Sequence, residues 1–131
     1  MLVKYRKDYQ KIVLGLLSFS PDLDNYDRLQ EEIDWSNSAH QPIYLWRAPY
    51  SEQFIGVAVL EEGTDYILLR RLSFTPSERS GKNVYDFLSA IAKHYEPKRL
   101  MGTLATQPLV TNWRAVRSFG FDQQRRNKRG N

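Results

Sequence analysis

The residues with most chemical promise lie in SERSGKN, residues 77–83, between an apolar run ending at Phe74 and a periodic stretch beginning at Val84. Arg79 and Lys82 stand where a helix should begin. The helix macrodipole favours acids there, so each cation costs about 0.3–1 kcal/mol if it lies close to the dipole. Helix N-termini expose N–H groups without internal partners, so a phosphate at this turn would be held by backbone donors and by both cations. The opposing account is that Ser80 caps the helix while both cations point into water.

Arg70 and Arg71 interrupt the otherwise apolar YILLRRLSF, and two cations inside a strand must reach a rim, a partner or a ligand. Adjacent strand residues point to opposite faces, which puts Arg70 with Leu72 and Phe74 and leaves only one arginine able to face a pocket. There Arg70 would hold an acidic substrate or make a structural ion pair. Glu61, Glu62 and Asp65 are candidates for a general base, although a solvated hairpin explains them equally. Ser73 has no recognisable histidine or lysine partner and so is no nucleophile. With two histidines, His40 and His94, and no cysteine, neither a transition-metal site nor a serine-hydrolase triad has material to work with.

These residues need elements to position them. LVKY alternates like a short strand, and Tyr9, Ile12, Val13, Leu16 and Leu17 recur at helical spacing. Ser20, Pro21 and Asp22 read as the N-cap and first turn of a second helix through Tyr26, Leu29 and Ile33, ending near Trp35. PIYLWRA, QFIGVAVLEE and YILLRRLSF, separated by short polar turns, predict an antiparallel meander. Gly56 within it marks a close approach or a bulge. Val84, Phe87, Leu88, Ile91, Ala92 and Tyr95 form one helical stripe, EPK breaks it, and RLMGTL follows as a strand parallel to YILLRRLSF through a right-handed crossover. Pro108 opens a last helix carrying Leu109, Trp113 and Val116, with Gly120 placed to end it. The fold class is α/β, an α+β mixed sheet in which an antiparallel meander is followed by a β-α-β crossover and helices cover the sheet.

At 131 residues the chain makes one domain, residues 1–121, with a basic, flexible tail at 122–131. The net charge of +4 is uneven: Asp22 to Asp34 hold six acids against Arg28, whereas Arg125, Arg126, Lys128 and Arg129 crowd the end. That tail is read as solvated in preference to an RNA contact. No cysteine, no signal-peptide pattern and no apolar run of membrane-spanning length place the chain in the cytoplasm, away from membranes.

The order of elements and the 77–83 turn resemble the Gcn5-related N-acetyltransferase (GNAT) superfamily over nearly the whole chain. That family's coenzyme turn, Arg/Gln-x-x-Gly-x-Gly/Ala, falls on Arg79, Ser80, Gly81, Lys82, Asn83 and Val84; Arg79 fits, while Lys82 and Val84 fill the two small positions. MLVKYRKDYQKIVLGLLSFSP and IYLWR are similar to the RibT group, acetyltransferase-like proteins of bacterial riboflavin operons. The resemblance implies an N-acetyltransferase using acetyl-CoA as cosubstrate, without metal, on a small-molecule amine, with a link to riboflavin biosynthesis; a catalytically weak GNAT-like binding module is the alternative. It implies coenzyme contacts from 79–84, backbone donors for the thioester oxygen at Leu72, Ser73 and Phe74, and a further contact from Asn112. Many members use a tyrosine on the last helix as general acid, but TNWRAVRSFGF has none and offers Phe119, so the catalytic residues stay unassigned. The family hairpin after that helix has no clear sequence here, which makes a homodimer partner a candidate source of part of the acceptor pocket.

Overall fold

The computed structural model describes residues 1–20, 23 and 25–129, and of 119–129 the backbone alone. Five strands form one sheet in the order β1 (Leu2–Lys4), β2 (Ile43–Arg47), β3 (Phe54–Glu62), β4 (Tyr66–Phe74), β5 (Arg99–Gly102). The first three pairings are antiparallel and β4 pairs parallel with β5. Four helices cover it: α1 (Gln10–Leu17), α2 (Tyr26–Ser38), α3 (Gly81–His94) and α4 (Gln107–Arg129).

Strand alternation divides the core by face. Ile43, Leu45, Val57 and Val59 pack under α1 and α2 with Val13, Leu16, Leu17, Leu29 and Ile33. Tyr44, Trp46, Ala58, Leu60, Ile67, Leu69 and Phe74 pack under α3 and α4 with Phe87, Leu88, Ile91, Val110 and Trp113. Gly56 is accounted for by a close approach: a Cβ there would lie 2.8 Å from the ring of Phe74, its register partner across β3 and β4.

Several boundaries differ from the sequence reading. The second helix starts at Tyr26, capped by Asn25, whose Oδ1 accepts from the Arg28 N–H at 2.9 Å, and it continues to Ser38. A side-chain acceptor at Asn25 terminates the exposed N–H ladder as well as Ser20 would have done; Pro21 and Asp22 lie outside the described residues. Ile12 and Val116 are exposed, so α1 buries a narrower stripe and α4 relies on Val110 and Trp113. Nor does α4 stop at Gly120; it runs on to Arg129. A glycine inside a helix costs only about 1 kcal/mol against alanine, and the glutamines and basic residues that follow are good helix formers. Among the described residues no helix is long and apolar enough to cross a membrane.

Candidate functional site

Two strands that should run together come apart. The β4–β5 pairing spans Tyr66↔Arg99 to Leu69↔Gly102 and ends there, because β5 turns into α4 while β4 continues to Phe74. Gly102 permits that turn, since a Cβ on it would sit 2.6 Å from the Gln107 backbone. Thr106 Oγ1 donates to the Leu69 carbonyl at 2.6 Å and fixes the point of divergence. Beyond it, one edge of β4 no longer faces a strand. The Thr75 N–H donates to the Ile55 carbonyl at 3.0 Å. Alternation along an antiparallel ladder then turns the Ser73 peptide to β3 as well, and turns those of Leu72 and Phe74 to the open edge. Ser73 is further committed by its side chain, whose Oγ donates to the Leu16 carbonyl at 2.6 Å.

The turn after β4 contains a short 3-10 segment, Pro76–Glu78, and delivers Ser80 as the N-cap of α3. Ser80 Oγ accepts from the Asn83 N–H at 3.1 Å, and Asn83 Nδ2 donates back to the Glu78 carbonyl at 2.8 Å. These bonds lock the turn and leave the Gly81 and Lys82 N–H groups, first in the helix, without an intrahelical acceptor. Gly81 and Lys82 are exposed, and a Cβ on Gly81 would meet nothing nearer than the Tyr85 ring at 3.9 Å. Thr75 Oγ1, at the entry to the turn, is buried without a partner among the described residues. Arg79 is exposed and has no partner among the described residues, whereas Lys82 Nζ pairs with Asp86 at 2.8 Å. Glu78 accepts from the Tyr50 hydroxyl, and this bond is the main cause that raises the tyrosine's pKa.

The two arginines behave otherwise than strict alternation predicts. Val59 pairs with Arg71 and Leu60 with Leu69, so Arg70 is the extra residue of a β-bulge. Both side chains consequently reach α2: Arg70 Nε donates to Glu32 Oε1 at 2.7 Å, and Arg71 Nε lies 3.1 Å from the same oxygen. Leu72 and Phe74 pack on the opposite face, so the expectation that Arg70 shares their side does not hold. Arg70 also stacks on Trp35, its guanidinium carbon 4.0 Å from the ring centroid. Leu23, Arg28, Glu31, Glu32, Trp35, Arg70 and Arg71 line an open surface pocket of about 400 Å³.

Other candidates are drawn away from this region. Glu61, Glu62 and Asp65 sit at the β3–β4 hairpin, where Glu62 pairs with Lys98. Eight residue steps along β4, about 26 Å of strand, separate Tyr66 there from Phe74 at the turn. His94 Nε2 lies 3.0 Å from the Tyr44 hydroxyl, to which Tyr95 donates at 3.3 Å; burial is the main cause that raises the Tyr95 pKa. Tyr95 is therefore half-buried with a bonded hydroxyl. Asn112 is exposed on α4 beside Trp113, whose indole donates to Ser89 Oγ at 2.9 Å, about 12 Å of helix rise from Gly81. Among the described residues no group of three or more acids or histidines could hold a metal ion.

Glu32, Trp35 and Tyr50 are functional candidates that sequence reasoning missed. Glu32 sits among six acids between Asp22 and Asp34 with nothing in the sequence to show that it is buried, and no spacing links Trp35 or Tyr50 to its partner.

No family model matches the chain. It is 28% identical over 103 residues, 77% of this chain and 84% of the relative, to an uncharacterised N-acetyltransferase in the lysA 3' region of Bacillus methanolicus. Among solved structures, it is similar to a probable acetyltransferase with a TM-score of 0.65 at 9% identity, covering 88% of this chain and 87% of that one. A ribosomal-protein-alanine N-acetyltransferase from Brucella melitensis gives 0.59 at 13% identity, with 89% and 82% covered. A GNAT family acetyltransferase from Brucella melitensis, solved in complex with acetyl-CoA, gives 0.53 at 14% identity, with 79% and 76% covered. With its meander, its β4–β5 divergence and its crossover helix, the chain has the GNAT acetyltransferase fold.

Proposed function

We propose that the protein is a GNAT-type N-acetyltransferase that takes acetyl-CoA as cosubstrate and acetylates a small-molecule amine. One observation carries this reading: the strand whose pairing with β5 stops at Leu69 leads through a locked turn into a helix whose first two residues are exposed, with N–H groups that have no intrahelical acceptor. The residues present fit the coenzyme. Gly81 and Lys82 N–H groups and Arg79, without a partner among the described residues, suit a diphosphate, with Ser80 and Asn83 holding the turn rigid and Val84 anchoring it in the core. Lys82 adds charge, and Asn112 on α4 is available to the more distant part of the coenzyme.

Bound acetyl-CoA supplies the acyl group: an N–C bond to the amine forms as the C–S bond breaks, and the proton lost by the amine ends on the thiol. The Leu72 and Phe74 N–H groups are directed along the open edge, where they would stabilise negative charge on the carbonyl oxygen. Ser73 serves as a positioning residue through its bond to Leu16. No side chain is assigned as general acid or base.

The name of the Bacillus methanolicus relative supports the activity. The link to riboflavin biosynthesis rests on the similarity of the first 21 residues and IYLWR to the RibT group. Calorimetric titration with coenzyme A is expected to show saturable binding, and heat-free titration to millimolar concentration would remove the reading. A catalytically weak module is the second reading, favoured by the lack of any tyrosine from Gln107 to Arg129. Turnover of acetyl-CoA against a panel of amines that includes flavin precursors separates the two.

A further inference from the structure

The acyl-transfer reading leaves the acceptor undefined, and the α2 face supplies chemistry that reading does not use. Glu32 is buried, with 6% of its side chain exposed, and takes Arg70 in a fork: Nε at 2.7 Å to one oxygen and Nη2 at 3.4 Å to the other. A guanidinium has five N–H donors in two usable edges. The fork consumes the edge through Nε. The end-on edge, Nη1 with the second Nη2 hydrogen, has no acceptor among the described residues, and Arg70 keeps 34% of its side chain exposed beside the pocket. Such an edge matches a carboxylate with two parallel bonds.

Two features make this more than a solvated arginine. Arg70 is immobilised from three directions, by the Glu32 fork, by the Trp35 ring beneath it and by the bulge that fixes its backbone. A side chain already held loses little conformational freedom when it takes a ligand. Arg70 also directly follows Leu69, the last residue of β4 paired with β5, and lies two residues before Leu72, about 7 Å along the strand from the outward N–H assigned above to the thioester oxygen. Glu32 is the positioning residue, and Arg71 Nε lies 3.1 Å from the same carboxylate oxygen.

We propose that the acceptor amine carries a carboxylate, which docks end-on against Arg70 in the pocket walled by Leu23, Glu32, Trp35 and Arg71. This rests on the acyl-transfer reading but makes a separate demand on a different face of the sheet. The acceptor class is a small amino acid, with its amine directed toward the open edge of β4.

The test compares matched acceptors on the full chain: 4-aminobutyrate against butylamine and tyrosine against tyramine, each corrected for its fraction of free amine, with phosphoethanolamine as the other anion. The wild type is expected to favour the acids by about tenfold or more in kcat/KM, the size of a charge-assisted bond pair. Arg70→Gln should bring the ratio near one, and Arg70→Lys, which keeps charge without the fork, should retain part of it. Equal use of acids and amines, a preference that survives Arg70→Gln, or phosphoethanolamine outperforming both acids would overturn the proposal. If neither member of a pair is acetylated, the acyl-transfer reading is decided separately by coenzyme A binding, and an NMR titration without coenzyme decides this proposal. Shifts at Arg70 and Trp35 caused by 4-aminobutyrate but not butylamine sustain it, and their absence ends it.

Discussion

Two places in this molecule gather cations beside an acid, and they differ in nearly every physical respect. Under α2, Arg70 and Arg71 converge on one carboxylate that is 6% exposed, reinforced by an aromatic ring. At the start of α3, Lys82 meets Asp86 in the open, at 80% and 47% exposure, and Arg79 has no partner among the described residues. Removing a buried counter-charge leaves uncompensated ions in low dielectric, whereas an exposed pair contributes between nothing and about 1 kcal/mol. The first cluster is therefore coupled to folding. The second is free to be selected for a ligand, because its loss costs the native state little.

The largest expected effect tests the first half of that contrast. Glu32→Ala should destabilise the protein by about 3 kcal/mol, the lower end of the range for a broken buried pair because Arg70 is one-third exposed. Urea unfolding measures it, and a loss under about 1 kcal/mol would show that water already solvates the cluster. Arg79→Ala tests the other half. Global stability should stay within about 0.5 kcal/mol of the wild type, while coenzyme A affinity falls by about 1.5–3 kcal/mol, the worth of a hydrogen bond to a charged group. Equal affinity for both proteins would mean that the turn does not hold the diphosphate.

These two regions were also unequally legible in the sequence. The turn lies between a period-two and a period-3.6 segment, so Ser80, Gly81 and the two cations could be placed at a helix start from local order alone. The order β2–β3–β4–β5 and the parallel β5 followed from short polar turns and from crossover handedness. The α2 cluster was not legible, because a single extra residue opposite Val59 inverts which face Arg70 takes, and no composition signal announces such a bulge. Nor does an acid on an amphipathic helix reveal its burial: Glu31 and Glu32 are adjacent, and only Glu32 meets the strand. The open-edge N–H groups of β4 were legible as peptides but not in direction, since it takes the Thr75–Ile55 bond to turn Ser73 one way and Leu72 and Phe74 the other.

A smaller effect concerns the cap between the two cations. Ser80→Ala removes the acceptor for the Asn83 N–H and should cost about 1 kcal/mol of stability. Because the same bond holds the turn closed, coenzyme A affinity should fall with it, by a smaller factor than in Arg79→Ala. Urea unfolding paired with calorimetric titration measures both, and a stability loss with unchanged affinity would separate the cap from the binding surface.

The smallest effect is the most discriminating. Lys82 and Asp86 form an i,i+4 pair with the cation nearer the N-terminus, the less favourable orientation, and Lys82 stands at the positive end of the macrodipole. As a device for helix stability the pair is reversed, so Asp86→Asn should change stability by no more than about 0.5 kcal/mol. If Lys82 serves a bound diphosphate, Asp86 competes for it, and releasing the ammonium should raise coenzyme A affinity by a small factor of about two to three, in line with the few tenths of a kcal/mol such a pair carries. The gain should shrink as salt is added, since the group is exposed. Unchanged affinity at low salt would leave Lys82 as a solvated cation and confine diphosphate recognition to Arg79 and the backbone of the first turn.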